Sequence, residues 1–301
     1  MDGIRYSTEV KHALVENGPL VALETAVLTH GLPHPQNIET AQAMEEIVRA
    51  EGGVPATIGV LRGTLHLGLN DQELNQLAAA PERIKISRRD LGWALAEGKS
   101  GGTTVAGTLT AMARSPIKVF ATGGIGGVHR GRSFDISADL PALGGTPAVV
   151  VCSGAKSILD LPATLEYLET VSVPVLGWRT DEFPAFYSRT SGLGVPVRVD
   201  EVGQVAGIAQ HHWEAGVNGA VLLVVPVPEE QALEEQVMTE AVDQALQEAD
   251  QEGHTGQAVT PFLLDRVSEL TGGASLDANL SLLKNNARIA ARTAQAFSRH
   301  S

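Results

Sequence analysis

The chain is predicted to be an α/β protein of three layers, α/β/α, with a largely parallel central sheet and a helical C-terminal region. Two observations carry this. Up to about residue 225, short apolar runs of strand character alternate with segments of helical periodicity, the pattern of helices laid on a parallel sheet. From Gln231 onward only helical patterns remain. The strand runs are apolar inside and several carry polar residues at their carboxyl ends, which is where ligands bind in open α/β sheets.

The elements follow in order. Residues 20–24 read as a strand, 37–51 as a helix and 57–61 as the next strand. Further strands are expected at 83–87, 117–122, 148–152, 174–177 and 220–225. Helices fit between them at 71–80, 90–97, 105–113, 157–170 and 202–215, and then at 261–270 and 276–298. No low-complexity linker, repeat or Pro/Ser-rich hinge interrupts them, so residues 1–301 are expected to form a single domain.

A chain of 301 residues can bury a sizeable core. No apolar run is long enough to span a bilayer, and the first ten residues lack the layout of a secretory signal. The lone cysteine, Cys152, excludes an intramolecular disulfide framework and fits a reducing compartment, so a cytoplasmic location is expected. A net charge of −13 argues against a nucleic-acid partner, since phosphate backbones are bound by clustered Lys and Arg. Much of the negative charge lies in residues 228–240, which read as a solvated helix face. An anionic ligand must therefore be caught by a local basic or amide-lined site.

Six lysines are present, and one of them, Lys156, stands just beyond the apolar run 148–152 and the small-residue turn Ser153-Gly154-Ala155. Lysine is seldom buried without a partner. Desolvating a lysine favours its neutral amine, which attacks carbonyls. The bland alternative is a stem that snorkels to water from the strand end. The glycine-dense segment 122–131 follows a strand and is either a phosphate or sugar cradle or a flexible turn. It lacks the third glycine and the acidic residue of a dinucleotide fingerprint, and a Walker lysine is missing too.

Asp135 and Asp139, four apart, are spaced to share a hard cation, or else to form an acidic cluster at a helix N-terminus. Residues 100–105 look like a loop entering a helix, where hydroxyls and amides suit a phosphate or simply cap the helix. Lys85, beside Arg88 and Arg89, adds positive charge for an anion or pairs with Asp90. Glu24 ends the first predicted strand in an apolar frame, where burial would raise its pKa toward the range useful for proton transfer. Its alternative is a structural carboxylate satisfied by backbone donors. His30, His34 and His129 are not spaced as a zinc site.

Taken together these segments closely resemble the pseudouridine-5′-phosphate glycosidase, or indigoidine synthase A-like, family over nearly the whole chain. The resemblance is carried by Leu23-Glu-Thr25 with Thr29-His-Gly-Leu-Pro33, by Ser87-Arg-Arg-Asp-Leu91, and by Lys118 through Gly131. It continues in Phe134-Asp-Ile-Ser-Ala-Asp139, Ser153 through Asp160, Thr260-Pro-Phe-Leu-Leu264 and Leu270-Thr-Gly-Gly273. It implies reversible cleavage of the C–C glycosidic bond of pseudouridine 5′-phosphate to uracil and ribose 5-phosphate, in pseudouridine catabolism.

By the same resemblance Lys156 holds C1′ of the opened ribose as an imine, Glu24 moves protons, and Asp135 ligates one Mn²⁺ per subunit largely through water. Lys85, Val105 (through its backbone), Ser137, Ala138 and Asp139 match substrate-binding positions. Asn279, Thr104 and His129 are further substrate contacts, the last two at the phosphate end. The resemblance also implies a homotrimer with a small-molecule substrate, and neither nucleic acid nor membrane as partner. A C–C bond offers no heteroatom leaving group to protonate, so the two-carboxylate chemistry of ordinary glycosidases does not suit it, whereas an amine adduct does.

Two departures stand out: Ala26 occupies a place where a hydroxyl is expected, and the stretch 130–133 is short. The competing reading is a kinase-like binder of phosphorylated nucleosides. It is weakened because Gly273-Ala274-Ser275-Leu276 lacks the aspartate that a sugar kinase uses as base.

Overall fold

The computed structural model describes residues 4–131, 134–254 and 259–298. From the N-terminus the chain forms β1 (Ile4–Tyr6), α1 (Thr8–Val15), β2 (Leu20–Leu23), a π-helical turn (Val27–Gly31), α2 (Gln36–Ala50), β3 (Val54–Leu61), β4 (Thr64–Leu67) and α3 (Asp71–Ala79). Next come β5 (Ile84–Ile86), α4 (Leu91–Ala96), β6 (Gly101–Thr103), α5 (Val105–Met112), β7 (Val119–Ala121), β8 (Val128–His129), α6 (Asp139–Leu143), β9 (Val149–Cys152) and β10 (Leu159–Asp160). The remainder is α7 (Leu161–Thr170), β11 (Val175–Trp178), β12 (Val197–Val199), α8 (Val202–Glu214), β13 (Val221–Val224), α9 (Glu235–Gln251), α10 (Val259–Leu270) and α11 (Ala274–Ser298).

One sheet of eleven strands runs in the order β1-β4-β3-β2-β7-β9-β13-β11-β12, with β6 and then β5 branching from β3. Its pairs are parallel except β3/β4 and β3/β6. The central strands β2, β7, β9 and β13 are buried throughout, as parallel strands covered on both faces must be. The helix α11 lies across β2, β7 and β9 with α2 and α8 beside it, while α5 packs on β2, β3 and β6 against α6. Ala287, Ala290, Ala291 and Ala294 are buried on α11, and such small side chains let a long helix approach the sheet closely. Among the described residues no helix is long and apolar enough to cross a membrane.

The three-layer prediction holds, and the differences lie in short elements. The segment 100–105, read as a loop, contains β6. A Cβ on Gly102 would run into the Thr29 hydroxyl and the Thr25 carbonyl, so only glycine lets this strand pass beside the turn that follows β2. The β3–β4 hairpin escaped the sequence reading because Arg62-Gly63 makes its turn, with φ of 47° and 73°, rather than the familiar Asn-Gly. The helix expected from residue 157 begins at Leu161. Asp160 caps it by accepting from Ala163 N at 3.0 Å, and Pro162 sits in its first turn. The residues before it form the turn that carries Lys156.

Candidate active site

The carboxyl ends of the parallel strands β2, β7 and β9 bring Glu24, Thr122 and Lys156 together with Lys85, from the middle of the oppositely directed β5, at two connected chambers. The outer one is a cleft of about 760 Å³. Its walls include Thr104, Val105, His129, Asp135, Ser137, Ala138 and Asp139. The inner one is a narrow space of about 70 Å³ whose walls include His30, Gly123, Phe186, Leu264, Asn279 and Leu283. Glu24, Ala26, Lys85, Lys156 and Thr260 line both. Each residue singled out from the sequence as a candidate site residue thus lines one chamber or both, with Asn279 in the inner one alone.

Glu24 is the first residue beyond β2, and its carboxylate accepts from the Thr122 hydroxyl. Burial pushes the carboxyl above the usual glutamate range, against the pull of the Lys156 ammonium and of the Thr122 hydroxyl. Lys156 itself is half-buried. The Lys85 pKa is pushed down, by burial first and by the Lys156 charge second, with Asp139 and Glu24 opposing. Asp90 binds elsewhere, to the Ser87 amide at 3.0 Å and to Arg89 at 3.4 Å, so the expected alternative pairing of Lys85 with Asp90 is not formed.

Asp139 is almost fully buried in the first turn of α6. One carboxylate oxygen accepts from Ala106 N at 2.9 Å and the other from Gly126 N at 2.8 Å. It therefore ties the N-terminus of α5 to the glycine-rich segment through both oxygens. A Cβ on Gly126 would collide with the Ser137 hydroxyl, so this glycine-rich segment is a fitted wall of the cleft rather than a loose turn. Thr104 does cap α5, accepting from Gly107 N at 3.2 Å, and its hydroxyl proton remains to donate into the cleft.

Asp135 lines the cleft beside His129, whose amide donates to the Asp135 carbonyl at 2.9 Å. Among the described residues no three His, Cys, Asp or Glu side chains gather as a metal cage. A single carboxylate at an open cleft fits a hard cation that keeps most of its water, as Mg²⁺ and Mn²⁺ commonly do. Arg132 and Ser133, half of the stretch 130–133 read as short, lie outside the described residues.

One positioning residue escaped the sequence reading, and a second, Thr25, was noted there only as a polar residue at a strand end. Asn286 of α11 is fully buried and donates to Thr122 O at 2.8 Å and Ser153 Oγ at 3.1 Å, holding the ends of β7 and β9 together. Its only signal was a polar residue within the apolar stripe of a helix. Thr25, also fully buried, donates to Ile58 O at 2.6 Å and accepts from Thr103 N at 3.0 Å, which fixes the start of the turn after Glu24.

Comparison with known proteins places this arrangement. The family described as "Indigoidine synthase A like protein" matches residues 9–296. A pseudouridine-5′-phosphate glycosidase of Caldanaerobacter subterraneus is 52% identical over 293 residues, covering 97% of this chain and 95% of its own. One from Escherichia coli K12 is 48% identical over 299 residues, covering 98% and 96%. Among solved structures, a prealnumycin C-glycosynthase in complex with ribulose 5-phosphate superposes with a TM-score of 0.92 at 42% identity, covering 100% of this chain and 98% of that one. An indigoidine synthase A-like protein of Thermotoga maritima gives 0.90 at 38% identity, covering 98% and 97%. The chain belongs to the indigoidine synthase A-like family.

Proposed function

We propose that this protein is an enzyme that reversibly cleaves the C–C glycosidic bond of pseudouridine 5′-phosphate, giving uracil and ribose 5-phosphate. The observation that carries the reading is the meeting of Lys156, Glu24 and Lys85 at the junction of a wide polar cleft and a narrow, largely apolar chamber. The names of the relatives and the sugar phosphate bound by the C-glycosynthase support it.

The phosphate occupies the outer cleft, where Thr104, the Val105 amide at the start of α5, Ser137 and His129 offer donors and Lys85 offers charge. The uracil enters the inner chamber beside Asn279 and Phe186. This sets C1′ at Lys156. The amine attacks C1′, the C1′–O4′ bond breaks, and Glu24 delivers a proton to the ring oxygen. The nitrogen lone pair then forms the C=N bond as the C1′–C5 bond breaks, with C5 of uracil taking a proton from the same carboxyl after it has been recharged by the amine N–H. Water hydrolyses the imine, releasing ribose 5-phosphate and the free lysine. A raised Glu24 pKa suits a group that both gives and takes protons. A divalent cation held by Asp135 and water would supply positive charge to the substrate's oxygens. A homotrimer is part of this reading, checked by light scattering of the purified protein.

The deciding experiment is trapping. The protein is incubated with ribose 5-phosphate and Mn²⁺, reduced with borohydride and weighed. A ribose-phosphate adduct that maps to Lys156 and is absent from Lys156→Ala is expected. Absence of the adduct in folded wild type removes the imine and moves the weight to a non-catalytic binder.

A further inference from the structure

Behind the Lys156 turn, on the side away from the substrate cleft, lies a second cavity of about 390 Å³ between that turn, residues 185–193 and α9. Leu159 is the wall it shares with the cleft. The guanidinium of Arg130 projects here. Its Nη2 donates to Ser157 O at 3.1 Å and its Nε donates to Leu159 O at 3.0 Å. Its Nη1 reaches Asp243 of α9 at 3.2 Å. One planar fork therefore holds two carbonyls of the three residues that follow Lys156, and anchors them to a helix outside the site.

The far end of this turn is also held by the β8–β10 ladder, in which Leu159 pairs with His129 and Asp160 with Val128. Lys156 N donates to Ile125 O at 3.2 Å and Leu159 N closes the turn onto Lys156 O at 3.0 Å. The Ser157 hydroxyl is buried with no hydrogen-bond partner among the described residues. Arg130 is absent from the walls of both substrate chambers, whereas its neighbour His129 lines the cleft.

We infer that Arg130 is a positioning residue for the lysine: by clamping the Ser157 and Leu159 carbonyls from behind, it fixes the backbone from which the Lys156 amine reaches C1′. Attack on a sugar carbon requires the nitrogen within near-attack distance, and a backbone shift of about 1 Å costs such a step roughly a hundredfold. The charge-assisted fork resists that shift better than water in the rear cavity can. This inference rests on the imine reading above, and the test separates the two.

The test follows imine formation by borohydride trapping with ribose 5-phosphate, alongside binding of ribitol 5-phosphate, a sugar phosphate with no carbonyl. In Arg130→Ala the trapping rate at saturating sugar is expected to fall about ten- to a hundredfold, with ribitol 5-phosphate affinity changed by less than about twofold. Millimolar guanidinium, admitted through the rear cavity, restores the rate at least severalfold. Asp243→Asn, which leaves both carbonyl bonds in place, slows trapping by no more than about threefold. A wild-type trapping rate in Arg130→Ala overturns the inference, as does a loss of ribitol 5-phosphate binding in the same proportion. Should that variant fail to fold, Arg130→Lys carries the test, because one ammonium cannot span both carbonyls, and a wild-type rate there is equally fatal. Failure of the wild type to form any adduct overturns the imine reading itself.

Discussion

The two chambers that meet at Lys156 are built by opposite means. The outer cleft is made by backbone: the start of α5, the glycine-rich segment and the first turn of α6 are drawn together by one buried carboxylate, Asp139, through the amides of Ala106 and Gly126. The inner chamber is made by side chains, with Phe186, Leu264, Leu283 and Pro261 closing around Glu24 and the lysines. Amide-built, solvent-open surfaces bind anions without shifting proton affinities much. Apolar walls strip water from ionisable groups, and burial there has pushed Glu24 up. In the proposed mechanism the difference separates holding the substrate from reacting it.

The sharpest way to break that division is Lys156→Ala. Turnover is expected to fall by about 10⁴-fold or more, while ribitol 5-phosphate, held by the outer cleft alone, binds as before in calorimetry. Glu24→Gln comes next, with turnover down about 10²- to 10⁴-fold and a further signature in stability. Folding raises the proton affinity of Glu24, so its contribution favours the folded state below the usual glutamate range and is lost as pH climbs through the raised folded value. The glutamine variant cannot ionise, and thermal melts at pH 8 are expected to show a Tm no lower than wild type.

Asp139→Asn keeps one acceptor of two. It is expected to weaken ribitol 5-phosphate binding about tenfold and to lower stability by about 1–3 kcal/mol in urea melts, leaving the Lys156 amine competent. Equal losses of binding and trapping would merge the two chambers into one unit. Gly102→Ala, remote from the substrate but pressed on Thr29 and the Thr25 carbonyl, is expected to cost about 1–3 kcal/mol of stability. Arg88→Ala, an exposed cation at the rim, sharpens the comparison least: a KM increase of about two- to threefold, vanishing at high salt.

Much of the site was legible because its chemistry sits where strands end. The runs before Glu24, Thr122 and Lys156 are apolar, so a polar residue beyond each is conspicuous, and the parallel strands β2, β7 and β9 bring these three ends to one side, whereas Lys85 comes from β5, which runs opposite to them. What escaped was the support. Asn286 lies 133 residues from Ser153 and Arg130 27 from Ser157, and no local pattern announces such hydrogen bonds. The glycines of β6 looked like a loop because the neighbours that demand them, Thr25 and Thr29, are far away in sequence.

By itself the sequence determined the class of fold, through the alternation of period-2 and helical apolar patterns, and singled out the candidate reacting groups, through residue types whose chemistry is intrinsic. Tertiary structure alone decided that Asp139 serves the backbone, that burial lowers the Lys85 pKa, and that Arg130 grips the turn behind Lys156. Desolvation and long-range hydrogen bonding depend on which distant segments close over a residue, and a one-dimensional pattern does not carry that information.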